Sequence, residues 1–160
     1  MHEIGHTLGF SSGVDELDNN GGGQFSDNEL PFVTSLDFLR FSTESELAGA
    51  DLDWTADERD KYFSIDGGLT NTGGLASAWS TGVNYGDGEQ ASHWVDGAGL
   101  GVMDPTTDFG MQNELSDTDL LAFDVIGYDR IFSAVPEPGS MLGWLALAFC
   151  LRRHRKPRLK

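Results

Sequence analysis

Apolar positions along the chain fall in short clusters broken by glycine, and this pattern predicts a loop-rich α+β body built from brief elements. The first cluster, Ile4, Leu8 and Phe10, follows a helical start and meets Gly9, a residue suited to the positive φ that ends a helix. Thr55-Ala56-Asp57-Glu58 has a capping-box pattern and predicts a short helix ending near Lys61. The segments 62–65 and 68–70, joined by Asp66-Gly67, predict a short hairpin. Residues 73–88 are turn-rich, with Trp79 and Tyr85 as the expected anchors. Ser116 to Asp119 then predicts the capped start of a helix that carries Leu120, Leu121, Phe123 and Val125 and stops at Gly127. No internal repeat is present.

The last apolar run is of another kind. Val135-Pro136-Glu137-Pro138-Gly139-Ser140 breaks regular structure, Met141 to Leu151 is continuously apolar or small, and Arg152 to Lys160 is densely basic. The run predicts a C-terminal hydrophobic helix, although its 11 residues fall short of the roughly 20 that cross a hydrocarbon core. The organisation expected is therefore a body over 1–133 and a tail over 134–160.

Charge sharpens that division. Residues 1–135 hold 25 acidic and 4 basic residues, and residues 136–160 hold one acid and six bases. A body this acidic repels phosphates, which excludes a nucleic-acid partner, and its plain consequence is solubility. The 160 residues suffice for one domain with a core, at 39% hydrophobic content and 21 glycines. A single cysteine, Cys150, excludes an internal disulfide framework and a cysteine-based zinc site.

The candidate chemistry lies in HEIGHTLGF, residues 2–10. Histidines four apart share one face of a helix, so the imidazoles of His2 and His6 can reach one metal while Glu3 stands beside it. Catalytic zinc takes three protein ligands and leaves a fourth position to water, and a neighbouring carboxylate serves as general base. Glu3 is the candidate for that role.

The segment resembles the active-site helix of the metzincin zinc metallopeptidases, HExxHxxGxxH, matching at His2, Glu3, His6 and Gly9 and departing at Ser12, where the third histidine would stand. Two other histidines exist. His154 is flanked by arginines and lysine, which oppose a dication. His93 lies in Ser92-His93-Trp94, ten residues before Met103 in Gly101-Val102-Met103-Asp104-Pro105. That order resembles the leishmanolysin-like branch, in which a long insertion precedes a third histidine and a methionine turn. The resemblance implies the C-terminal part of a metzincin-like catalytic domain, with His2, His6 and His93 as zinc ligands, Met103 as the Met-turn residue and a peptide or protein as substrate. Glu89 and Asp96 are the alternative third ligands.

Asp15, Asp18, Asn20 and Glu29, with glycines at 21–23, raise a structural calcium site. The fifth loop position from Asp18 is Gly22, which offers no side-chain ligand, so a looser calcium site is a better reading than an EF-type loop. The tail resembles a PEP-CTERM sorting signal, with Pro136-Glu137-Pro138 its specific part. That implies an exosortase-type sorting enzyme as partner, a bacterial envelope or extracellular location, and membrane association through residues 141–151 before any processing.

These features together point to an exported zinc endopeptidase. The alternatives are a non-catalytic surface or matrix protein with structural zinc, and an adhesive module that binds calcium. No basic stretch followed by an apolar one precedes the motif, so the expectation is that an upstream half, carrying export signal and sheet, belongs to the natural protein. A helix this short at a free end is expected to fray at His2. The 160-residue chain is accordingly expected to bind zinc weakly and cleave casein slowly, and an upstream-extended form to do both well. Metal content and casein hydrolysis of the two forms check this, and fast cleavage by the short chain refutes it.

Overall fold

The computed structural model describes residues 1–21, 23, 32–49 and 52–129, which belong to a unit running from Met1 to Asp129. The expected tail helix over 141–151 lies outside the described residues, as do Glu29 and His154. Among the described residues, no helix is long and apolar enough to cross a membrane.

Helix α1, His2–Thr7, ends at Leu8 because Gly9 takes φ +103°. Phe10 N–H then donates to Gly5 O and Gly9 N–H to His6 O, the paired bonds that close a helix on a left-handed residue. This turn delivers Phe10 to the centre of the core, where its ring lies 5.2 Å from Trp94 and 5.7 Å from Phe123 between centroids. Helix α2, Val14–Asn19, follows. It is held by Asp37, whose carboxylate accepts from Ser12 Oγ, Gly13 N–H and Thr34 N–H. Asp37 also closes the capping box of a 3-10 helix, Ser35–Leu39, so one buried carboxylate joins two segments that are distant in sequence.

Strand β1, Arg40–Phe41, pairs antiparallel with β2, Tyr62–Phe63, in the register Arg40 opposite Phe63 and Phe41 opposite Tyr62. Helix α3, Thr43–Leu47, lies between them in sequence and is capped by Ser42 Oγ, which accepts from Ser45 N–H. Helix α4, Asp117–Val125, starts at the expected Ser116 cap, and Gly127 adopts φ +110° just beyond its end. Its buried face, Ala122 and Phe123, joins a core of Phe10, Leu36, Leu39, Phe63, Trp79, Trp94 and Met103. Trp79 and Trp94 meet at 4.3 Å between centroids across an isolated β-bridge, so Trp79 is the anchor expected.

Three local expectations are corrected. The hairpin over 62–70 does not form: β2 pairs with β1, and residues 64–70 make a turn in which Ser64 Oγ accepts from Gly68 N–H and Asp66 Oδ1 from Thr70 N–H. A long-range partner won because Phe63 has to reach the aromatic core, which a self-contained hairpin would have denied it. The helix over 55–61 is also absent. Its capping side chains are drawn into ion pairs around Asp57, which meets Lys61 Nζ at 2.7 Å and Arg59 Nη2 at 2.6 Å, while Thr55 Oγ1 donates to Asp57. Those pairs hold the Asp57 carboxyl far below its ordinary range despite the opposing effect of partial burial. Tyr85 is 49% exposed and is no core anchor; its N–H donates to Asp18 Oδ1 and its ring packs against Gly21.

The most heavily used buried carboxylate is Asp119, on α4, which has no exposed surface. Its oxygens accept from Trp94 Nε1 at 2.8 Å, Val102 N–H at 2.7 Å and Ser116 N–H at 2.8 Å. Gly101 permits this, since a Cβ there would stand 1.9 Å from Asp119 Oδ2. Truncating the carboxylate leaves several buried donors unpaired. Asp119→Ala is expected to destabilise the fold by about 3–5 kcal/mol, read from denaturant unfolding, with Asp119→Asn milder because it keeps one acceptor. A loss below about 1 kcal/mol for the alanine variant would show that these bonds do not hold the fold.

Candidate metal centre

Two chain segments carry the histidines to one place, and a third packs against them. α1 presents His2 and His6 from successive turns. His93 arrives on the 91–95 segment, fastened to residues 78–80 by Ser80 N–H to His93 O, Ser80 Oγ to Trp94 O and Val95 N–H to Ala78 O. The 101–104 turn lies against both, because Trp94 N–H donates to Met103 O.

The Nε2 atoms of the three rings form a nearly equilateral triangle. His2 to His93 is 3.1 Å, His6 to His93 is 3.0 Å and His6 to His2 is 3.2 Å. Three corners of a tetrahedron around an ion with bonds of 2.0–2.1 Å lie about 3.3–3.4 Å apart, so the observed triangle is slightly tighter than an ideal zinc set. Among the described residues, no other group of three or more histidine, cysteine or carboxylate side chains brings its ligand atoms within 4.8 Å of one another.

Tautomer decides what these nitrogens can do. His2 Nδ1 lies 2.8 Å from Val102 O, His6 Nδ1 2.7 Å from Phe10 O, and His93 Nδ1 3.2 Å from Gln90 O. A carbonyl only accepts, so each neutral ring carries its hydrogen on Nδ1 and turns the Nε2 lone pair to the common centre. Three lone pairs at this separation repel one another, and a cation between them removes the repulsion. The donor set therefore suits a divalent metal with a preference for imidazole. Burial, reinforced by His6, holds His93 down to about 4, against the pull of its bond to Gln90 O. Its ring is thus neutral, as a ligand must be, throughout the physiological range.

Ser12 is not part of the converging histidine set. Its Oγ donates to Asp37 Oδ1 and accepts from Val14 N–H, a structural role at the turn into α2. Glu89 and Asp96, the alternative ligands, are absent from the converging set, and Asp96 instead accepts from Thr106 Oγ1. Asp15 and Asp18, raised for calcium, sit on α2 with carboxylates engaged by Ala91 N–H and by the N–H groups of Asn84 and Tyr85. Glu3 is exposed on α1, outside the ligand set, and helps wall a cleft of about 520 Å³ that also includes His2, Val102 and Asp104.

Met103 is fully buried beneath the helix. A Cβ on Gly5 would stand 2.3 Å from Met103 Sδ, so the glycine between the two histidines is what lets the turn pack this close. Sequence offered a weak sign of this, since a glycine inside a helix costs about 1 kcal/mol and needs a compensating reason. The carbonyls of Val102, Phe10 and Gln90, which orient the rings, carry no side-chain signal. Asp119 was legible only as a capping residue, yet it grips both Val102, whose carbonyl holds His2, and Trp94, the neighbour of His93.

No family model, curated protein or solved structure matches the chain. The geometry of its own residues therefore carries the argument. His93→Ala is expected to weaken zinc binding by more than the roughly 10–100-fold typical of losing an outer-shell partner, whereas Ser12→Ala leaves zinc affinity within about threefold. Competition titration with a chelating dye reads both, and an unchanged affinity in His93→Ala would remove it from the site.

Proposed function

We propose that the chain is the metal-binding part of a metzincin-like zinc endopeptidase of the leishmanolysin-like branch. The observation that carries this reading is the convergence of His2, His6 and His93 with their ring hydrogens all turned outward to carbonyls. Further support comes from Glu3, one residue from the first histidine and on the wall of an open cleft, and from Met103 packed under Gly5.

Zinc held by these rings would supply Lewis acidity, lowering the pKa of water to around 7 and polarising the scissile carbonyl. The chain's own contribution is proton handling and positioning. The Glu3 carboxylate accepts the proton from the attacking water and returns it to the leaving amine. Its exposure leaves it free for that exchange, and its absence from the ligand set leaves the carboxylate available. Backbone carbonyls at 10, 90 and 102 keep the imidazoles from rotating as charge develops. The cleft beside His2 and Glu3 would receive the substrate chain.

The tail extends the proposal to location. Pro136-Glu137-Pro138, the apolar stretch and the basic end support export and sorting to a bacterial envelope by an exosortase-type enzyme, with the arginine-rich end on the cytoplasmic side.

The rival is a surface protein in which zinc is structural, and Glu3 separates the two. Glu3→Gln is expected to retain zinc within about twofold and to lose 10²–10⁴-fold in cleavage of casein or a quenched peptide, the span of general-base catalysis. Wild-type cleavage by the zinc-loaded Glu3→Gln protein would reject Glu3 as the base, and a zinc-loaded wild type that cleaves neither substrate would favour the structural rival.

A further inference from the structure

His93 is the histidine that its carbonyl holds least firmly. Its Nδ1 lies 3.2 Å from Gln90 O, against 2.7 Å at His6 and 2.8 Å at His2. Gln90 O accepts from the backbone N–H of His93 as well, at 3.1 Å. What stands behind this carbonyl is also different. A peptide unit is planar and trans, so Gln90 O and Ala91 N–H point from opposite edges of one rigid plate. Ala91 N–H donates to Asp15 Oδ1 at 2.6 Å, a short bond of the kind that an ionised acceptor makes. The carboxylate of α2 and the ring of His93 therefore hold the two edges of a single peptide. At His2 the nearest counterpart is Asp119, which takes Val102 N–H, a group of the peptide preceding the one that carries Val102 O.

The neighbours of Asp15 fix it at this edge. Burial pushes its carboxyl above the ordinary value, opposed by bonds from Ser92 and Ala91 and by the charge of Arg40. Arg40 Nη1 in turn donates to Ala91 O at 2.8 Å. Ala91, which has no exposed surface, is thus gripped by an anion at its N–H and by a cation at its carbonyl. Two residues further on stands His93.

We infer that Asp15 is a positioning residue of the metal centre, which acts through the Gln90–Ala91 peptide to strengthen the carbonyl that orients His93 and to fix that ring with its hydrogen on Nδ1. The inference rests on the zinc reading of the three histidines and adds how the ligand most distant in sequence is made ready. An anion at the N–H edge of an amide draws its electrons towards the oxygen, so the carbonyl becomes a better acceptor. Hydrogen bonds linked in this way reinforce one another by about 10–30% per bond. A carboxylate bonded directly to an imidazole fixes its tautomer and makes it a more basic metal ligand. Here one amide stands between the two and passes the effect on.

The test reads the ring nitrogens by NMR of the full chain with isotope-labelled histidine, since a nitrogen that carries hydrogen and one that does not resonate far apart. It is run without metal at about pH 8, above the ordinary imidazole pKa, and paired with zinc titration. Asp15→Ala is expected to give a mixture of the two His93 tautomers and to weaken zinc by about 10–100-fold, the span for a lost partner behind a ligand, while the signals of His2 and His6 stay in place. Asp15→Asn, which keeps an acceptor and loses the charge, falls between this variant and the wild type. Asp18→Asn is the control, because Asp18 lies on the same helix but grips the N–H groups of Asn84 and Tyr85; all three rings keep their signals, with zinc affinity within about threefold. Unchanged His93 signals and zinc affinity in Asp15→Ala overturn the inference and leave the three-histidine centre standing. Equal changes at all three rings, or the same changes in Asp18→Asn, overturn it as well, since they mark a loosened fold. Zinc that leaves the wild-type histidine signals unmoved tells against the metal centre itself. Where Asp15→Ala fails to fold, the wild type decides: spin couplings are expected across both bonds, from Ala91 N to the Asp15 carboxylate carbon and from His93 Nδ1 to the Gln90 carbonyl carbon, and the absence of either overturns the inference.

Discussion

Three hydrogen bonds from imidazole Nδ1 to backbone carbonyls set the arrangement on which the rest depends. Each bond fixes a tautomer and a ring orientation, and together they bring three Nε2 lone pairs to within 3.0–3.2 Å of one another. Such a concentration of acceptors is unfavourable by itself. The fold has to impose it, and the carbonyls that do so belong to Phe10, Gln90 and Val102, one from each of the segments that meet here.

The packing explains how so loop-rich a chain holds them still. Gly9 turns the chain at the end of α1 and sends Phe10 into the aromatic core, so the bond that orients His6 is also a consequence of core burial. Trp94 is wedged against Trp79 and tied to Asp119, which places His93 by way of its immediate neighbour. Asp119 takes the N–H of Val102 as well, and the carbonyl of that same residue orients His2. Arg40 adds a further brace: fully buried over Trp79, it donates to Ala91 O and Ser80 O on the two segments that flank the bridge. Its burial lowers its pKa to about 10, while Asp37, Asp15, Asp53 and Asp87 favour its charge. A guanidinium therefore stays charged in the interior and satisfies carbonyls that short strands leave open.

The elements readable from sequence were those whose signals are local. Ser116 capped α4, and Gly9 and Gly127 ended helices, since a hydroxyl at a helix start and a left-handed residue beyond its end act over three or four residues. The pattern at Thr55 to Glu58 carried the same kind of signal but lost to ion pairing around Asp57, and Phe63 found a partner on β1 across more than 20 residues. α2, the 3-10 helix and α3 escaped the reading. They are five or six residues long, and two of them depend on polar contacts made at a distance or across a cap.

The candidate metal site divides along the same line. His2, Glu3 and His6 were legible because helical periodicity puts the two histidines on one face with the carboxylate beside them, and His93 could be named only through its order in the chain relative to Trp94 and Met103. Whether His93 meets the other two depends on a separation of 87 residues from His6, which no local rule spans. Tertiary structure alone decided that meeting, the carbonyl behind each ring, the depth of Met103 under Gly5 and the hold of Asp15 on Ala91 N–H. The physical reason is range: propensity and capping act over a single turn, whereas the burial of aromatic rings and the pairing of buried polar groups are settled only when distant segments pack together.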